Sequence, residues 1–231
     1  MLESLPEIAD ITDDSKNTFL LLCNSTTHEP TLLEEPAYSI SPIVDNRVYD
    51  REHADRFLLE ERQILHVESL RQMQYYQINM AALLQLGRWF DALREAHCYD
   101  NSRIIIVSDH GTNLNQMDAM RFGDDPVEDA MYYNPLLLVK DFNSHGFTVS
   151  ENLMTNADTP VLALQGLITD PVNPFTGNRI SDQEKQKNEL HVYANHNPDM
   201  NGGSTTLPAA SWYMVSEDVR DGNNWHFLGK W

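Results

Sequence analysis

Four consecutive β-branched apolar residues, Ile104 to Val107, run straight into Ser108-Asp109-His110-Gly111, and this stretch constrains the chain more than any other. Such a run predicts a strand buried on both faces, as in a parallel sheet covered by helices. The strand should stop at Ser108, with Gly111 permitting the tight turn that follows. Asp109 and His110 then stand together at its carboxyl end, where open α/β sheets bind their ligands. A hard oxygen donor beside an imidazole there is half of a divalent-metal site. Two ligands do not hold a catalytic metal, so further donors must come from elsewhere.

The elements around that strand predict an α/β fold: a mainly parallel sheet flanked by helices, with a small C-terminal β element. Thr18 to Cys23 reads as a first buried strand. Leu5 to Ile8 reads as a short helical turn, and Asp50 to Arg62 as a surface helix. Pro30, Pro36 and Pro42 keep the intervening chain irregular. From about Leu70 to His97 the spacing of Met73, Tyr76, Met80, Leu83, Leu84, Gly87, Phe90 and Leu93 predicts a long amphipathic helix. Gly87 on that stripe predicts close approach to the sheet. Strand, helix and strand together predict a right-handed parallel crossover. The acidic segment after Gly111 should be a loop to about Glu128. Pro135 to Val139 predicts a strand. Asp158-Thr159-Pro160 predicts a helix start, with Asp158 as N-cap. Residues 170–210 read as irregular. Ser211 to Val215 and Trp225 to Leu228 predict a strand pair across the turn Asp221-Gly222.

Composition narrows the function classes. A formal net charge of −19 argues against a nucleic-acid backbone as partner. No run of about 18 apolar residues predicts a membrane-spanning helix. The first twenty residues lack the basic and apolar pattern of a signal peptide. Cys23 and Cys98 have no metal-ligand spacing and read as buried free thiols.

Four segments in order then carry a resemblance. They are Asn24-Ser-Thr-Thr-His-Glu-Pro30, the Asp100-Asn-Ser to Asp-His-Gly111 stretch, Asn134-Pro-Leu-Leu-Leu138, and Asn156-Ala-Asp-Thr-Pro-Val-Leu-Ala-Leu-Gln-Gly166. Together they resemble the sulfatase branch of the alkaline-phosphatase superfamily over roughly residues 18 to 180. The nearest flavour is the lipoteichoic-acid-synthase-like phosphoglycerol transferases, which are membrane-anchored enzymes of Gram-positive bacteria. The resemblance implies Asp109 and His110 as ligands of one divalent metal, with Mn, Zn and Mg all chemically admissible. It implies His28 as a substrate-pocket residue donating to an ester oxygen. Arg121, in the loop after Gly111, is a candidate clamp for the same anion. Phosphoethanolamine transferases carry further histidines soon after Asp-His-Gly. Here the next is His145, which favours the one-metal pattern.

That family's nucleophile, a Thr, lies well upstream of the His28 segment, and nothing in residues 1–17 resembles its surroundings. Thr26 and Thr27 lack a visible activating base. The expectation is therefore the C-terminal part of a catalytic domain: 1–17 a lead-in, 18–180 an α/β core, 181–231 an irregular and β element. The parent should be a metal-dependent transferase or hydrolase of phosphate esters on cell-envelope lipid or polymer, at the extracellular face of the bacterial membrane. Its membrane contact would lie in an N-terminal region beyond this chain. A sulfatase acting on sulfate esters is the alternative within the class, and a non-catalytic polymer-binding module the alternative outside it. Self-association of the fragment through uncovered strands is also expected.

Overall fold

The computed structural model describes residues 4–9, 11–12, 17–59, 64–150, 152–173, 177–180, 189–195 and 210–230. The chain is mixed α/β and divides into two compact units, residues 1–102 and 103–231. Every ladder between named strands is antiparallel among the described residues. The parallel crossover expected from the sequence is therefore not what these strands form.

The first unit is helical. It contains α1 (Leu5–Ile8), α2 (Arg47–Glu52) and α3 (Leu70–Glu95). Ser69 starts α3 with a capping box, its hydroxyl accepting from the Gln72 amide while the Gln72 side chain accepts from the Ser69 amide. The buried residues of α3 are Gln77, Ile78, Ala82 and Leu93; of the stripe read from the sequence Leu93 is buried and Met73, Tyr76, Met80 and Phe90 are half-buried. Leu83 and Leu84 face outward, and open space lies where a Gly87 Cβ would stand. The reason is a polar tie. Gln77, fully buried, accepts the Leu33 amide at 2.8 Å. Asn46 donates to the Leu33 carbonyl at 2.8 Å and accepts from the Glu35 amide at 2.9 Å. Two side-chain amides thus do for residues 33–35 what a neighbouring strand would do, and this rotates α3 toward Leu33. Arg56 completes the unit, paired with Glu35 and Asp50 and lying over the Phe57 ring at 4.3 Å. The predicted surface helix is shorter than expected. α2 ends at Glu52 and a 3₁₀ turn follows at Ala54–Phe57; residues 60–63 lie outside the described ones.

Thr18 to Cys23 forms no strand. Phe19 and Leu21 are about four-fifths exposed, and Cys23 is exposed rather than buried. Apolar composition alone predicts burial only where a partner surface exists. An uncovered run of this kind drives association. Sedimentation of the purified chain is expected to show concentration-dependent self-association that Leu21→Lys reduces; a monomer at all concentrations would contradict this.

The second unit begins with β1 (Ile104–Val107), which pairs with β4 (Leu137–Lys140) in a two-stranded sheet. Ile104 to Ile106 are only half-buried and Val107 is exposed, so β1 is not covered on both faces. Between them come β2 (Arg121–Phe122), β3 (Glu128–Asp129) and α4 (Ala130–Tyr133). After β4 follow α5 (Thr159–Leu164), β5 (Glu189–Ala194), β6 (Ser211–Ser216) and β7 (Trp225–Lys230). The predicted β6–β7 pair is present, and β5 joins its other edge from within the stretch read as irregular. Trp231 lies outside the described residues.

The core of this unit sits on the C-terminal sheet. Along β6 burial alternates with period two, so Tyr213 and Val215 point inward. They meet Met120, Phe122, Ala130, Ala194 and Trp225. Phe122 stacks on Trp225 with centroids 4.1 Å apart and meets Tyr213 edge-on at 4.9 Å. Residues 112–128, expected to be a polar loop, thus supply core side chains. Gly222 lets this segment come close: a Cβ there would stand 1.9 Å from the Arg121 carbonyl oxygen.

Arg103 joins α5 to the β1–β4 sheet. Its guanidinium donates to the carbonyls of Leu162, Ala163 and Gln165 at 3.0, 3.2 and 2.7 Å, at the C-terminal end of α5. It also pairs with Asp141 at 2.9 Å and holds that carboxyl below its usual range, the Arg103 hydrogen bond being the largest cause. Arg103→Ala is expected to cost about 2 kcal/mol in urea denaturation, since it removes charge-assisted bonds to several carbonyls. The Asp141 contribution has a definite sign. Its folded pKa is depressed, so the stabilisation is complete above the unfolded value, about 4, and fades as pH falls below it. Arg103→Ala should flatten that acid limb.

Candidate functional site

The candidate residues fall in both units. His28 belongs to the first; Asp109, His110 and Arg121 belong to the second.

The Asp109-His110 pair follows directly from how β1 ends. Ser108 continues the ladder by one step, its amide donating to the Leu136 carbonyl at 3.0 Å and its hydroxyl accepting from the Leu136 amide at 2.8 Å. The chain then leaves the sheet. Gly111 donates its amide to the Tyr132 carbonyl at 2.9 Å. A Cβ on Gly111 would lie 1.7 Å from the Met131 carbonyl oxygen. Glycine is needed here for close backbone approach to α4, a different reason from the free turn expected from sequence.

Asp109 has a largely exposed carboxylate, and one of its oxygens accepts the His110 amide at 3.0 Å. The His110 ring lies near Tyr132, with centroids 5.4 Å apart. His110 Nδ1 is 2.6 Å from the Gly111 carbonyl oxygen. A carbonyl only accepts, so Nδ1 carries a proton, and in the neutral ring Nε2 keeps its lone pair. That Nε2 is 3.6 Å from Asp109 Oδ2. Two ligands of a tetrahedral ion with bonds of about 2.1 Å are separated by about 3.4 Å. The pair therefore fits two positions of one divalent ion. Among the described residues no group of three or more His, Cys, Asp or Glu could hold a metal. The fit is to half a coordination shell.

Remote residues hold this loop in place. Asn156, in the 3₁₀ turn before α5, donates through Nδ2 to the Ser108 and Asp109 carbonyls at 3.1 and 2.8 Å. Its turn is fixed by a capping box in which the Asp158 carboxylate accepts from the Thr155 amide at 2.6 Å. Asp158 thus caps that turn and makes no side-chain cap bond to α5, the role read from sequence. On the far side, Asp129 is buried and accepts the amides of Leu114, Asn115 and Met131 at 3.1, 2.7 and 3.0 Å. Nearby, burial raises the Tyr133 phenol well above its usual range, helped by buried Glu128, to which its hydroxyl donates at 3.2 Å. Neither Asp129 nor Asn156 stood out in the sequence. The one available signal is Asn156 at the head of Asn-Ala-Asp-Thr-Pro160.

The other candidates are more loosely held. His28 lies on an exposed turn, its amide bonded to the Ser25 carbonyl and its Nδ1 3.0 Å from Glu29 Oε1. Since Thr18 to Cys23 is not a strand, the His28 turn does not follow a strand end. Arg121 opens β2 opposite Asp129 in register, and its side chain is exposed. His145 is exposed. His191 accepts the Trp212 indole N–H at 3.0 Å. His196 lies outside the described residues.

A cleft of about 370 Å³ in the first unit is lined by Leu32, Asp45, Arg47, Asp50 and Met73, among others, and by none of the sequence candidates. No helix among the described residues is long and apolar enough to cross a membrane. Comparison with protein-family models, with curated proteins and with solved structures finds no match to this chain.

Proposed function

We propose that this chain is part of a metal-dependent transferase or hydrolase of phosphate esters, and that Asp109 and His110 supply two ligands of its single divalent ion. The observation that carries this reading is the His110 tautomer: Nδ1 bonded to the Gly111 carbonyl, Nε2 left 3.6 Å from an exposed Asp109 oxygen at the end of β1. A hydrogen bond from Nδ1 to a backbone carbonyl is the partner that orients a metal-ligating histidine and leaves Nε2 as its donor atom. The resemblance to sulfatase-like phosphoglycerol transferases supports the same assignment and adds the substrate class, lipid-linked or polymeric phosphate esters of the cell envelope on the extracellular face of a bacterial membrane. On this reading the α/β core is part of a larger, mainly parallel sheet in the parent. When bound, the ion neutralises an anionic ester and lowers the pKa of a coordinated hydroxyl. Asp109 and His110 would present their donors to it at the 3.6 Å separation described above. His28 and Arg121 are proposed to donate to the non-bridging oxygens of the ester.

The nucleophile and remaining ligands are proposed to lie upstream in the parent. The purified 231-residue chain is therefore expected to turn over neither bis-p-nitrophenyl phosphate nor p-nitrophenyl sulfate with Mn²⁺ or Zn²⁺ present. Multiple turnovers by the chain, lost in Asp109→Ala, would overturn the partial-site assignment. A parent that cleaves only the sulfate ester would redirect the reading to a sulfatase.

A further inference from the structure

We infer that Asn156 is a positioning residue for the Asp109-His110 pair, a role that rests on the metal-site reading above. Its side-chain amide reaches across 47 residues of sequence to the Asp109 carbonyl and also to the Ser108 carbonyl. Those carbonyls belong to the point where the chain leaves the β1–β4 ladder, so no strand partner fixes them beyond the Ser108 pairing with Leu136. The backbone of Asp109 sets where both donors point, because the His110 amide is itself tied to the Asp109 carboxylate. One NH₂ group donating to two successive carbonyls fixes the two peptide planes that flank Asp109 relative to each other, which a single-donor hydroxyl could not do. Asn156 is held in turn by the Thr155–Asp158 capping box, which needs none of Asn156's own side-chain atoms. The α5 turn and the ligand loop are thereby coupled through one amide.

The chain is tested with Mn²⁺ alone as the probe, by paramagnetic broadening of histidine side-chain NMR signals, and without metal by amide hydrogen exchange at residues 109–111. Asn156→Ala and the isosteric Asn156→Asp, which cannot donate, are compared with Thr155→Ala, which loosens the α5 turn but keeps the amide. Both Asn156 variants should speed exchange at 109–111 and weaken Mn²⁺ binding at His110 about tenfold, the usual cost of losing a partner that orients a ligand. Thr155→Ala should leave the Mn²⁺ affinity within about twofold of the parent chain's. Unchanged exchange at 109–111 in both Asn156 variants would overturn the proposal, as would an equal loss of Mn²⁺ affinity in Thr155→Ala. If Mn²⁺ broadens no histidine of the unmodified chain, the metal reading fails, while faster exchange in the Asn156 variants still establishes the coupling.

Discussion

Asp129→Ala is expected to destabilise the second unit by about 3 kcal/mol, among the larger losses a single polar substitution gives. The carboxylate is buried and accepts three backbone amides, from Leu114, Asn115 and Met131. Bonds to a charged acceptor are worth more than neutral ones, and removing the acceptor leaves three backbone amides without it. Asn115 adds to the cost, since it holds a left-handed backbone with φ of 51° that the bond to Asp129 stabilises. Asp129→Asn should recover only part of the loss, because its NH₂ group replaces one acceptor with a donor facing amides. Urea denaturation of the three proteins measures this. Destabilisation of less than about 1 kcal/mol in Asp129→Ala would show that the loop closes without the carboxylate.

On the proposed metal-site reading, Asp109→Ala and His110→Ala in the proposed longer enzyme are expected to abolish turnover, with losses of about a thousandfold or more, because each would remove a ligand of the ion. Folding should survive both changes. Neither side chain is buried, and the loop keeps its ties through Gly111, Asn156 and Asp129. Melting temperatures near that of the unmodified protein, together with lost activity, are the expected pair of results. Near-normal turnover in either variant would exclude the ligand role.

The parts of the fold legible in the sequence were those set by local rules. The α3 helix, β1, β4 and the β6–β7 pair all follow from periodicity, capping and turn residues. The failures share one physical cause. Phe19 to Leu22 has the composition of a buried strand but is exposed, because burial depends on a partner that apolar letters do not name. The direction of pairing between β1 and β4 is likewise invisible in two apolar runs. The face of α3 turns on Gln77, a polar residue that bonds Leu33, and hydrophobic periodicity gives such a residue no weight. Residues 112–128 looked like a solvated loop because their charges outnumber their core residues, yet Met120 and Phe122 fill the core. The same limit applied to the candidate site. Asp109 and His110 stood out by position after a strand. Asp129 and Asn156 act only through backbone groups of distant residues, a relation visible only once the chain is folded.

His110 Nε2 and the Asp109 carboxylate are proposed as two ligands of one divalent ion. Mn²⁺ titration of the chain, followed through the NMR signals of its 9 histidines, tests this most directly. His110 is expected to broaden selectively and weakly, in roughly the millimolar range suited to two ligands, and Asp109→Ala to abolish the effect. No selective broadening at His110, or the same broadening in Asp109→Ala, would contradict it.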